Sequence, residues 1–93
     1  MFVGIVRIEL HLPASGSLKS KRQIVRSLKE RIRSRTRAAV AEVDHQDLWQ
    51  RAALGVAVVS GEAGQVAEQL QAVRGLVDQT HEATMLDWQE QLL

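Results

Sequence analysis

Between Ser17 and Arg37 the chain reads SLKSKRQIVRSLKERIRSRTR, and this stretch holds nine of the twelve Lys and Arg residues against one acid, Glu30. Side chains of these types do one kind of chemistry well, which is to bind phosphate. Arginine offers a bidentate fork and lysine a compact point charge. The segment carries +8 in a chain of net charge +1, so the other residues, three basic and ten acidic, sum to −7. Such polarisation gives one face a strong positive potential while the whole molecule stays near neutral.

The spacing orders these charges. At 100° per residue, Lys19, Arg22, Arg26, Lys29 and Arg33 fall within one arc of about 80° on a helix. Like charges at 22/26, 26/29 and 29/33 repel, and Lys19, Lys21 and Arg22 occupy the first turn, where the helix dipole favours anions. A bound polyanion would relieve both costs. The candidate phosphate-tracking set for a structured RNA is therefore Lys19, Lys21, Arg22, Arg26, Lys29, Arg33, Arg35 and Arg37. The competing reading is a solvated face whose arginine stems shield the edge of the core. Lys21 stands apart, near the centre of the apolar arc. Either its ammonium reaches past the helix end into water, or it helps the helix N-terminus and the preceding PASGS hold an anion.

Other chemistry is sparse. EVDHQD places Glu42, Asp44, His45 and Asp47 within six residues, either for a divalent cation or for turn hydrogen bonds. The spacing fits no calcium loop, and no metal is assigned. The chain has no cysteine, and its three histidines fall on different elements. Its serines lack an evident base and orienting acid, so no catalytic residue and no cofactor is assigned. The three aromatics are Phe2, Trp49 and Trp88, too few and wrongly placed for a sheet that stacks bases. Trp49 and Trp88 are read either as core residues or as anchors of a homo-oligomer interface.

The elements that position these groups follow from periodicity. FVGIVRIELHL alternates, with Val6, Ile8, Leu10 and Leu12 on one side and Ile5, Arg7, Glu9 and His11 on the other, a half-buried strand. After PASGS, Ser17 N-caps a helix that gathers Leu18, Val25, Leu28 and Ile32 on one face and ends between Ser34 and Arg37. AAVAEVD is a short strand, HQDLWQR a connection, and AALGVAVVSG a buried central strand. EAGQVAEQLQAVRGLVDQT is a second helix burying Val66, Leu70, Val73 and Val77. HEATMLDW is a last strand, with QEQLL as a terminal extension.

The order β-α-β-β-α-β predicts an α+β, ferredoxin-like sandwich of one domain over residues 1–93. Two helices would cover one face of a four-stranded antiparallel sheet of order 4-1-3-2, leaving the other face open. No apolar run is long enough to span a membrane, and the N-terminus lacks the basic and cleavage features of a signal peptide, so the expected location is the cytoplasm.

Two stretches together, SLKSKRQIVRSLKERIRSR and VAEVDHQDLWQRAALGVAVVS, resemble the YlxP-like family of small bacterial proteins, a domain-of-unknown-function group. The resemblance covers about two thirds of the chain. Its motif positions are Ser17, Leu18, Lys19, Lys21 and Arg22, then Glu42, Asp47, Leu48, Trp49, Gln50 and Arg51. It implies a ferredoxin-like fold, no settled activity, and a genomic neighbourhood of translation-initiation and ribosome-maturation factors. Where the family tends to carry an aromatic and then a polar residue, this chain has Thr36 and Arg37, which removes an aromatic between helix and second strand. The expected function is a non-enzymatic RNA- or ribosome-associated protein that docks its basic helix on phosphates. The alternative is a homo-oligomeric or ligand-sensing module that uses the open sheet face and binds no nucleic acid.

Overall fold

The first strand, β1 (Phe2–His11), sets the two faces of the sheet. Its even-numbered side chains Val6, Ile8 and Leu10 are buried, while Ile5, Arg7, Glu9 and His11 stand on the other side. The computed structural model describes all 93 residues. Helix α1 (Leu18–Arg35) begins at Ser17, whose Oγ accepts from the Ser20 N–H at 3.0 Å. That bond satisfies one of the orphan donors of the first turn. Lys21, Val25, Leu28 and Ile32, spaced four, three and four apart, are its buried row. Leu28 is only 1 % exposed, a burial worth roughly 2–3 kcal/mol.

Strand β2 (Ala39–Asp44) returns beside β3 (Arg51–Ser60) as an antiparallel pair. Helix α2 (Ala63–Asp78) then crosses to β4 (Thr84–Leu92). The sheet order is β2-β3-β1-β4, with every neighbouring pair antiparallel, as alternation and right-handed crossovers predict. Both helices lie on the face of the even-numbered β1 residues, over one hydrophobic cluster of 18 buried side chains. Gly4 is what lets α2 approach. A Cβ there would lie 2.6 Å from Val66 Cγ1 and 2.9 Å from Leu70 Cδ1.

Two details differ from the sequence reading. The terminal QEQL is not an extension: β4 runs on to Leu92, with Glu90 opposite Val6 and Leu92 opposite Gly4. Its polar character reflects an edge strand wetted on both faces. The other is a register shift between Glu42 and Asp44 in β2, which leaves Val43 as the extra residue opposite β3. Such a bulge turns the following side chain to the other face. Glu42 thus faces the helices and Asp44 the open side. Neither helix is long and apolar enough to cross a membrane.

Candidate nucleic-acid interface

Helix α1 presents two flanks on either side of its buried row, and they differ in what their cations touch. On the α2 side, one nitrogen of the Arg31 guanidinium donates to Leu76 O at 3.0 Å and Thr80 Oγ1 at 2.5 Å, binding the two helices together. The opposite flank lies along β2, an edge strand. There Lys19, Arg22, Arg26 and Arg33 are exposed and Lys29 is half-buried. Arg35, about 160° round the helix from the centre of this arc, and Arg37, whose N–H donates to Gln69 Oε1 of α2 at 2.7 Å, are also exposed but lie toward α2. None of these seven forms an ion pair, since every salt bridge in the chain involves Arg7, Lys21, His45 or Arg51. Arg33 donates to Val40 O at 2.9 Å, so it also caps a carbonyl of the edge strand. The helix ends on Thr36, whose hydroxyl donates to Ile32 O at 2.7 Å and accepts from the Ala38 N–H at 3.1 Å.

Lys21 does not belong to that surface. It is 1 % exposed, and its ammonium lies 2.9 Å from Glu42 Oε2 while donating to the His45 carbonyl. It neither reaches water nor stands free for an anion at the helix N-terminus. The sequence placed it correctly in the apolar row, but its partners come from β2 and the connection after it, more than twenty residues on. Glu42 Oε2 has no aligned hydrogen bond, so charge alone holds it.

His45 carries the link across the sheet. Its backbone has φ of 62°, a left-handed conformation that costs roughly 1–2 kcal/mol for a residue with a Cβ. Its carbonyl serves Lys21 on the helix side, and its ring Nε2 lies 2.9 Å from Glu9 Oε1. Glu9 is the hub of the open face, taking Arg51 at 2.8 Å and Arg7 Nε at 3.2 Å, while Arg7 also donates to Asp44 Oδ2 at 2.9 Å. Both arginines of this face are therefore already held by carboxylates. That leaves α1, not the sheet, as the accessible positive surface. The sequence reading set Arg7 and Glu9 on the open face but missed this network. Arg51 in the stretch DLWQR was the available signal.

These contacts shift the acids. Burial pushes the Glu9 carboxyl up, but hydrogen bonds from His45 and Arg51 and the charges of His45 and Arg7 outweigh it, and the net direction is down. Arg7, then the His45 N–H, hold the Asp44 carboxyl below the usual carboxylate range. A carboxyl lowered by folding lends stability that is full above its unfolded pKa and lost as pH falls through the folded one. Acid titration of the folded state should therefore show a stability loss, below the ordinary carboxylate range, that is shallower in Glu9→Gln. Parallel curves for the two proteins would show that the hub contributes nothing.

The four residues of EVDHQD do not converge. Glu42 turns to Lys21, Asp44 to Arg7 and the His45 ring to Glu9, and no group of three potential ligands is placed to hold a metal ion. The two tryptophans also part ways. Trp88 stands opposite Ile8 on the helix side, packs against the core, lies under Arg74 at 5.2 Å and donates its indole N–H to Glu90 Oε1 at 3.0 Å. It is therefore not on the open sheet face. Trp49 is 55 % exposed in the connection between β2 and β3 and is not a core residue. The open face itself carries a trough of about 570 Å³ floored by Gly55 and Ala57 and walled by Ile5 and Val43.

The stretches that meet at Lys21, Glu42 and His45 are the two that carry the family resemblance. Residues 3–90 match DUF503, described as a protein of unknown function. The chain belongs to the DUF503 family. It is also similar to "Uncharacterized protein YlxP" of Bacillus subtilis (strain 168), with 32% identity over 76 residues, covering 82% of this chain and 83% of the relative. Neither the DUF503 description nor the relative's name carries an activity, a ligand or a partner.

Proposed function

We propose that this DUF503 protein is a non-enzymatic, cytoplasmic RNA-binding protein that lays the β2-side flank of α1 along the phosphates of a structured RNA, such as a ribosomal segment. One observation carries the reading: five accessible cations, Lys19, Arg22, Arg26, Lys29 and Arg33, follow a single helix flank, and none forms an ion pair in the chain. Glu30, four residues after Arg26, is the one acid at i,i+4 from these bases, and it forms no ion pair, whereas a helix surface shaped only for solubility would interleave several such acids because such pairs stabilise the helix. Here the repulsion among Arg22, Arg26, Lys29 and Arg33 remains until an external anion relieves it. The binding set is Lys19, Arg22, Arg26, Lys29 and Arg33, with Arg35 and Arg37 adding positive charge near the helix end and Lys21 acting as an internal clamp. No base-specific readout is implied, since phosphate contacts position a protein without reporting sequence.

The test is equilibrium binding of a structured RNA across a range of salt. Each neutralised phosphate steepens the dependence of log K on log salt by about 0.7–0.9. The five arc residues together predict a slope of about −4. Affinity that is flat with salt would exclude phosphate tracking.

The apolar trough of the open face supports a second reading, in which two copies meet through their sheets or a small apolar ligand fills the groove. That reading predicts an oligomer insensitive to salt and no RNA affinity.

A further inference from the structure

Trp49 is the side chain that the phosphate reading leaves without a role. It is 55 % exposed, and its neighbour Leu48 is 48 % exposed, at the end of the sheet where α1 begins. An exposed indole on a loose loop would carry little weight, but this connection is tied at both ends. Its first residue, His45, gives its carbonyl to buried Lys21 of α1. The Leu48 N–H closes the turn on the same His45 carbonyl at 3.0 Å. At the other end, the Gln50 amide donates to Pro13 O at 3.2 Å and to Ser15 O at 3.4 Å, and the Gln50 carbonyl accepts from the Leu12 N–H at 2.9 Å. Residues 45–50 are thus fastened to the segment that leads into α1 and, through Lys21, to its first turn, so Trp49 sits on a connection whose two ends are both tied to the start of the basic helix.

We infer that Trp49 is a stacking platform for one unpaired base of the RNA whose phosphates run along α1. The inference rests on the phosphate reading above and narrows its ligand. An indole cannot reach a base inside a paired stem, but it stacks readily on a base that is bulged or in a loop. The ligand class is therefore a stem interrupted by an unpaired nucleotide, not a continuous duplex. The charges around Trp49 fix the polarity of the contact. Asp47, two residues before it, is exposed and forms no ion pair, so it keeps phosphates off the tip of the connection and leaves them to α1. The other indole is taken: Arg74 covers Trp88 and Glu90 holds its N–H. Lys21 becomes a positioning residue, since it keeps platform and helix in register without touching RNA.

The experiment compares a labelled RNA hairpin bearing a single-nucleotide bulge with the same stem fully paired, by fluorescence anisotropy at low salt, and follows Trp fluorescence in parallel. The wild type should bind the bulged RNA more tightly, with quenching of Trp fluorescence. Trp49→Ala should weaken the bulged complex roughly 5- to 100-fold, the range of a lost base–aromatic stack, and leave the paired stem unchanged. Trp49→Phe should recover most of the loss, which a merely structural role would not require. Equal binding of both RNAs, unaffected by Trp49→Ala, would overturn the platform and leave the phosphate reading standing. Failure of the wild type to bind either RNA would overturn both. Dissociation of a wild-type oligomer by Trp49→Ala, without an RNA effect, would assign the patch to a second copy and also overturn the platform.

Discussion

Lys21→Met is expected to destabilise the fold by about 3 kcal/mol, the lower end of the cost of stripping one partner from a buried ion pair. Thermal unfolding should fall by about 15 °C for a chain of this size. Lysine and methionine have nearly equal helix propensity, so the backbone of α1 contributes little to the difference. Methionine also suits the apolar row of Val25, Leu28 and Ile32 in which Lys21 sits. If Lys21 merely filled space there, the substitution would be neutral or stabilising. The loss arises because Glu42 Oε2 has Lys21 alone at 2.9 Å, and because the His45 carbonyl loses a donor. The double variant Lys21→Met/Glu42→Leu should recover most of the loss, since replacing both members of a buried pair by apolar residues is often neutral. Urea denaturation of the two proteins checks both statements. A Lys21→Met protein as stable as wild type would show that the pair is not a clamp.

Reversing Arg22, Arg26 and Arg33 together to Glu is expected to weaken RNA binding by at least about 100-fold at low salt. Three favourable phosphate contacts are lost and three repulsive ones take their place. The salt slope should become shallower by about 2 to 3, because three fewer phosphates release their counterions. The fold gives this test a clean background. Arg22 and Arg26 have no partner within the chain, and Arg33 loses one bond to Val40 O. The carboxylates introduced at positions 26 and 33 attract Lys29 at spacings of three and four but repel Glu30 at spacings of four and three. Thermal unfolding of the variant should therefore fall only slightly, and binding measured well below its midpoint separates a lost interface from lost folding. Binding that survives the reversal, measured by fluorescence anisotropy, would remove α1 from the interface.

The elements were legible where a single period governed them. Alternation in β1 gave both faces of the sheet, and the row through Val25, Leu28 and Ile32 gave the seat of α1. β4 was harder to read at its end, because Gln89, Glu90 and Gln91 follow an edge strand with little apolar burial on either face. The basic flank was legible because it needs only spacing within one helix. The Lys21 clamp was not, because it depends on which side of β2 each acid faces. Alternation does place Glu42 with Val40 toward the helices, and a buried lysine beside an inward glutamate was a pairing the sequence already permitted. The bulge at Val43 then breaks the alternation and sends Asp44 to Arg7, so EVDHQD looked like one cluster when Glu42 serves Lys21 on the helix side and Asp44 and the His45 ring join the Glu9 network of the open face. The choice for Trp88 between core and interface stayed open for a similar reason: its face follows from its register opposite Ile8, which the strand's own sequence does not state.

Whether RNA meets the β2-side flank of α1 can be read residue by residue from backbone amide chemical shifts of the isotope-labelled protein. On titration with a structured RNA hairpin, shifts are expected along 19–37, strongest around Arg22, Arg26 and Arg33, and in the tethered connection 45–50. Amides near the open-face trough, at Ile5, Ala57 and Gln89, should stay in place. Shifts confined to that trough, or shifts that follow protein concentration and ignore RNA, would contradict an RNA contact on α1.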